Sequence, residues 1–156
     1  PEAANSVINK LHNVYKQHVA ELFAKEENVK KTNDLLHDIF MHLHTLTMEE
    51  YSDKLEKEIL AQGEMMSTNM VTNYLKEIGV KVALLPALDY MRTDANGEPD
   101  SPYIKEHLNE VLKKAGSCDL YITQGFICRN SKGDIDNLQR GGSDYTACLI
   151  GAVLRA

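Results

Sequence analysis

Three consecutive stretches decide the fold class of this 156-residue chain: Leu120-Tyr121-Ile122-Thr123-Gln124-Gly125-Phe126-Ile127, the polar run 130–139, and Arg140-Gly141-Gly142-Ser143-Asp144-Tyr145-Thr146. The first reads as a strand and the second as a loop or hairpin around Lys132-Gly133-Asp134. The third opens a helix with Ser143 as its expected N-cap. Working back from these, Val80–Leu85 is a β-branched and aliphatic run stopped by Pro86, which reads as a buried strand. Residues 94–102 collect Asn-Gly, Pro and acidic residues into a turn-rich loop, and a helix over 103–115 leads through Gly116 to the strand at 120. Strand, loop, helix, strand, loop, helix is the order of an α/β unit with parallel strands. Two strands do not make a self-sufficient sheet, so partner strands are expected outside these residues.

The first half reads as helix throughout. Val7, Leu11, Val14, His18 and Leu22 recur at spacings of three and four within 1–26, and Leu35, Leu36, Ile39, Phe40 and Leu43 mark a second helix over 29–46. Thr47 followed by Glu50 has the form of a capping box, predicting a new helix through Tyr51, Leu55 and Ile59. Gly63 is expected to interrupt it. Met66, Met70, Tyr74 and Ile78 then predict a further helix ending near Gly79. The organisation expected is one partial domain, with a helical segment over 1–62 and an α/β part over 63–156.

Bulk properties narrow the function classes. With 43% hydrophobic and 26% charged residues the chain has the composition of a globular protein. A formal net charge of −6 gives no basic footprint for nucleic acid. No apolar run approaches the roughly 20 residues that span a bilayer, and no signal peptide pattern opens the chain, so a cytoplasmic protein without membrane or nucleic-acid partners is expected. Cys118, Cys128 and Cys148 are odd in number and lack CxxC spacing, suggesting neither a disulfide framework nor a zinc site. A start at Pro1 and a stop at Ala156 within a helical pattern are expected of a piece of a longer protein.

The chemistry-bearing signal is the heptad at 140–146. Adjacent glycines let backbone approach a ligand closely, a helix start attracts anions, and Arg140 adds a planar fork suited to carboxylate or phosphate. By itself a double glycine before a helix is more often a tight turn. In the same way Glu64 alone would be a solvated carboxylate at a helix start. Arg92 and Asp94 could as easily close a loop by mutual pairing as touch substrate, and they are left as structural. His37, His42 and His44 lie near Asp38, but spacings of five and two do not share a helix face, and no metal site is assigned. Met65, Met66 and Met70 read as core filler. Glu50-Lys54 and Asp53-Lys57 read as a solvated helical face.

Gly63-Glu64, Arg92-Thr93-Asp94, Gly125-Phe126-Ile127 and Arg140 through Ala147 occur in that order. This series resembles the aspartate kinase family of the amino-acid kinase superfamily, whose pattern is a GE pair on a helix, an RTD-like segment, a GFI strand end and RGGSDYTA opening a helix. The run TQGFICRN with DNLQRGGSDYTA is most similar to the monofunctional, lysine-sensitive type. The resemblance implies an αβα sandwich of the amino-acid kinase type and a parent enzyme that phosphorylates the β-carboxylate of L-aspartate with MgATP, giving 4-phospho-L-aspartate at the entry to lysine, threonine and methionine synthesis. It implies a homo-oligomer when full length.

It also implies roles residue by residue. Free aspartate presents one ammonium and two carboxylates; Glu64 would hold the amino group and Arg140 the α-carboxylate. Phe126 would form an apolar wall, with Gly141 and Ser143 offering polar contacts, and Asp144 matches the family's catalytic acid. The nucleophile is a carboxylate with a pKa of about 3.9, already ionised at neutral pH, so no general base is needed. Phosphoryl transfer then depends on alignment and charge neutralisation, and Asp144 is expected to orient a catalytic lysine or the metal-bound nucleotide. The family's KFGGTS segment and most of its ATP site do not occur in these 156 residues, and the isolated piece is expected to be inactive. Two alternatives stay open: a related carboxylate kinase acting on glutamate, and a non-catalytic helical interaction module suggested by the long helices of 1–60.

Overall fold

The computed structural model describes residues 1–139 and 141–156. They form two compact units, Pro1–Lys81 and Val82–Ala156. The first holds α1 (Glu2–Leu22), α2 (Glu26–Leu46) and α3 (Asp53–Glu77). α2 supplies the centre of its core with Leu36, Ile39, Phe40, Leu43 and Leu46, joined by Val19 of α1 and by Leu55, Met66 and Met70 of α3. The buried methionines therefore do fill core space. Short polar links fix the helix order: the Glu77 carboxylate accepts from the Ala24 and Asn28 amides at 2.7 and 2.6 Å, so the end of α3 sits at the start of α2. Asn28, Ala24 and Lys25 together hold that carboxyl below its usual range. His44 bonds Asn5 and Asn9 of α1, and His42 bonds Glu58 of α3 at 3.0 Å, so these histidines join helices.

Three details of this unit differ from the sequence reading. In α1 the face that packs runs through Ile8, Tyr15, Val19 and Leu22, while Val7, Leu11 and Val14 stay exposed. The expected capping box at Thr47 and Glu50 does not form. Thr47 closes α2, donating its hydroxyl to the His44 carbonyl at 2.8 Å, and Ser52 caps α3 by accepting from the Leu55 amide at 3.1 Å. Gly63 does not break the helix. α3 passes through it without interruption, so the expected boundary at 62/63 falls inside one helix and the unit boundary lies after Lys81. A mid-helix glycine costs roughly 1 kcal/mol relative to alanine, and the buried Leu55 and Ala61 on one side and Met66 and Met70 on the other outweigh it.

The second unit holds β1 (Val82–Leu85), a 3-10 turn at Ala87–Asp89, α4 (Ser101–Ala115), β2 (Leu120–Thr123), β3 (Ile127–Arg129), β4 (Ile135–Asn137) and α5 (Gly142–Leu154). β1 and β2 pair in parallel, Val82 opposite Leu120 and Leu85 opposite Thr123, with α4 as the crossover. This is the expected βαβ arrangement. The strand expected over 120–127 is instead two: it breaks at Gln124–Phe126, and β3 turns away to pair antiparallel with β4. The hairpin turn is tied by the Asn130 side chain, whose oxygen accepts from the Lys132 and Asp134 amides at 2.9 and 3.0 Å. Asp100 caps α4 through the Tyr103 amide.

Candidate active site

Ligand sites in open α/β sheets gather beyond the carboxyl ends of parallel strands. Here those ends are Leu85 and Thr123, and two buried side chains tie them down. Gln124 accepts from the Ala87 amide at 2.8 Å. The Tyr90 hydroxyl meets Thr123 Oγ1 at 2.7 Å, and burial pushes this phenol above its ordinary range against the opposing effect of that hydrogen bond.

Immediately after β2 the backbone becomes unusual. Phe126 adopts φ +69°, a left-handed conformation that costs a non-glycine residue energy. Its amide donates to the Thr146 hydroxyl at 3.2 Å and its carbonyl accepts from the Leu138 amide at 2.8 Å. The Gly125-Phe126 turn therefore lies directly against the first turn of α5. A Cβ on Gly125 would fall 2.8 Å from Ser143 Oγ and 3.0 Å from Ser143 Cα. A Cβ on Gly142 would fall 3.0 Å from the Phe126 ring and 3.1 Å from Leu138 Cβ. A side chain on Gly125 would force Ser143 to shift, and one on Gly142 would press Phe126 and Leu138 apart by a few tenths of an ångström.

α5 begins at Gly142 after Gly141, which is the N-cap in a left-handed conformation and supplies no side-chain cap. Ser143 is therefore not the cap that the sequence suggested; it lies inside the first turn, facing Gly125. Asp144 is exposed in the same turn. Phe126, Gly141, Ser143 and Asp144 are thus brought together on one junction. Arg140 lies outside the described residues. Glu64 belongs to the first unit, half-buried and midway along α3 rather than at a helix start, and its carbonyl accepts from Thr68 at 2.7 Å. The dipole argument for Glu64 accordingly falls away.

Arg92 and Asp94 do not pair with each other. Arg92 donates to Asp100 and lies 3.6 Å over the Tyr103 ring, while Asp94 accepts from the Asn96 and Glu98 amides of its own turn. Gln124, Gly125 and Thr146 lie within the quoted motifs but were given no role by the sequence reading, and all three shape the junction. The available signal was the placement of small or hydroxyl residues on both sides of the polar loop, in Thr-Gln-Gly and Gly-Gly-Ser.

An open cavity of about 480 Å³ adjoins this junction, lined by Thr123, Gly125, Ser143 and Thr146 together with Ala147 and Ile150 of α5. The lining is mostly apolar, with the hydroxyls of Thr123, Ser143 and Thr146 and the start of α5 as its polar groups. Such a cavity suits a small molecule held by a few polar contacts.

Comparison with known proteins places this geometry. The sequence matches the amino acid kinase family over residues 3–156. It is 37% identical over 108 residues to the lysine-sensitive aspartokinase 3 of Escherichia coli, covering 67% of this chain and 24% of that protein. All of the chain superposes on crystal structures of Escherichia coli aspartokinase III. The complex with aspartate and ADP gives a TM-score of 0.76 at 27% identity over 35% of that chain. The complex with lysine and aspartate gives 0.82 at 29% identity over 36% of it. The chain therefore spans about a quarter to a third of the length of these relatives. Matched along nearly its whole length, the chain belongs to the amino acid kinase family, and the relatives it resembles there are aspartokinases.

Proposed function

We propose that the protein carrying this chain is an aspartate kinase, transferring a phosphoryl group from MgATP to the β-carboxylate of L-aspartate, and that these residues form the amino-acid side of its site. The observation that carries the reading is the interlocked junction of Gly125-Phe126 with Gly141–Asp144 at the carboxyl end of β2, exposed beside a pocket. The names of the relatives support the substrate assignment, since one was crystallised with aspartate and ADP.

In this reading opposite charges meet: Glu64 holds the ammonium and Arg140 the α-carboxylate. Phe126 walls the carbon chain, Gly141 and Ser143 contribute polar contacts, and Asp144 orients the transferring group. The nucleophile is already a carboxylate, so the residues of this chain bind and align instead of removing a proton. Magnesium enters with the nucleotide as co-substrate. Among the described residues no group of three or more His, Cys, Asp or Glu side chains could hold a metal ion. We infer a cytoplasmic homo-oligomer for the full protein; no helix among the described residues is long and apolar enough to cross a membrane.

The test is hydroxylamine trapping of the acyl phosphate formed by the intact gene product, with aspartate and glutamate in parallel. Aspartyl hydroxamate from wild type, lost in Arg140→Ala and strongly reduced in Asp144→Asn, is the expected result. Product from glutamate alone would move the assignment to a sister carboxylate kinase, and near-normal turnover of Asp144→Asn would remove its role.

A further inference from the structure

Thr146 is 2% exposed, yet its hydroxyl is fully used. It donates to the Gly142 carbonyl at 2.8 Å, one turn back in α5, and accepts from the Phe126 amide at 3.2 Å, twenty residues away in sequence. The first bond fixes the hydroxyl's direction, which leaves a lone pair aimed at the Phe126 amide. The partner is itself the residue with φ +69°, a conformation that persists only where surroundings hold it. The remaining restraints on Phe126 come from the Leu138 amide and from the bare faces of Gly125 and Gly142. Through these two bonds the Thr146 side chain ties the Phe126 backbone to α5.

We propose that Thr146 is a positioning residue: its hydroxyl pins Phe126 in the left-handed conformation and so sets the distance between the Gly125-Phe126 turn and the first turn of α5, where the amino-acid substrate binds. The substrate half of this statement rests on the function proposed above. The Thr146 hydroxyl is engaged with the Gly142 carbonyl and the Phe126 amide. It acts through Phe126 and through the Gly142 carbonyl, so it affects how well the acceptor is held and leaves the nucleotide side unchanged. Serine preserves the hydroxyl; valine keeps the shape and removes both hydrogen bonds, leaving the Phe126 amide unsatisfied.

The experiment uses the intact gene product as wild type, Thr146→Val and Thr146→Ser, with steady-state kinetics in both substrates and residue-resolved amide exchange. Thr146→Val should raise KM for aspartate by about ten- to a hundredfold with KM for ATP unchanged, the size expected for an unpaired buried amide. Exchange at the Phe126 amide should accelerate in Thr146→Val, and Thr146→Ser should restore both readouts. Unchanged aspartate KM and Phe126 protection in Thr146→Val would overturn the proposal. So would a parallel rise of both KM values with exchange quickened throughout the second unit, which is the mark of general destabilisation. Should wild type form no aspartyl hydroxamate, the functional reading fails by itself. The Phe126 exchange then decides the positioning role: acceleration confined to that turn and restored by Thr146→Ser supports it, and none refutes it.

Discussion

The two units of this chain solve different problems. Residues 1–81 build an ordinary helical core in which large apolar side chains interlock, and no non-glycine residue of that unit among those described has positive φ. Residues 82–156 gather several special features at one junction, where Phe126 and Gln139 are left-handed, Gly141 caps a helix without a side chain, and a Cβ on Gly125 or Gly142 would crowd its neighbours; a further left-handed residue, Arg155, ends α5. Strained non-glycine backbone is confined to the second unit, most of it at this junction. Side-chain volume holds the first unit together, and the absence of side chains shapes the second.

Substitutions should separate the two accordingly. The largest stability effect is expected from Phe40→Ala, because this ring is fully buried, stacked by His12 at 4.3 Å and met edge-on by Tyr15. A loss of about 3–5 kcal/mol is expected in denaturant unfolding. Aspartate KM should be unchanged in whatever enzyme remains folded, and a selective rise in that KM would blur the division drawn here. Gly142→Ala should do the reverse. Its new methyl meets the Phe126 ring and the Leu138 Cβ, so about 1–3 kcal/mol of overpacking strain falls on the junction itself. Kinetics should show the aspartate KM rising well before the folded fraction falls, and an Ala variant that binds aspartate normally would show that the close approach is not needed.

The smallest effect is a pH dependence in the second unit. The Arg92 hydrogen bond, with help from the Tyr103 amide, holds the Asp100 carboxyl below its usual range. A depressed carboxyl contributes stability that is fully present above its unfolded value near 3.8 and is lost as pH falls through that value toward the folded one. Asp100→Asn keeps a capping oxygen and cannot titrate, so its unfolding midpoint should decline less steeply than wild type below about pH 4. Equal slopes would mean that this cap contributes nothing to acid sensitivity.

Much of this was legible in the sequence, for physical reasons that differ by region. α2, α4 and the two parallel strands follow from local periodicity and from stop signals such as Pro86 and Gly116. α1 was legible as a helix, but its buried face was not, since Val7 and Ile8 are equally apolar and only packing chooses between them. Gly63 misled because helix propensity is a weak local term that flanking core residues override. Thr47-x-x-Glu50 and Ser52-x-x-Leu55 compete for one helix start, and the sequence pattern alone favoured the wrong one. At the junction, the glycines and Phe126 were readable as a motif. Thr146 was not, because its contribution is a hydrogen bond across twenty residues that no spacing rule encodes. The break in the strand at Gln124 escaped notice for a related reason: the Gln124 side chain bonds Ala87, thirty-seven residues away.

The most direct test of the central claim, that the strained junction is the aspartate site, is amide hydrogen exchange of the intact gene product with and without saturating aspartate. The account predicts slowed exchange at 124–128 and 141–147 and around Glu64, with the α2 core over 32–46 unaffected. Protection confined to α1 and α2, or no change at 124–128 and 141–147, would contradict it.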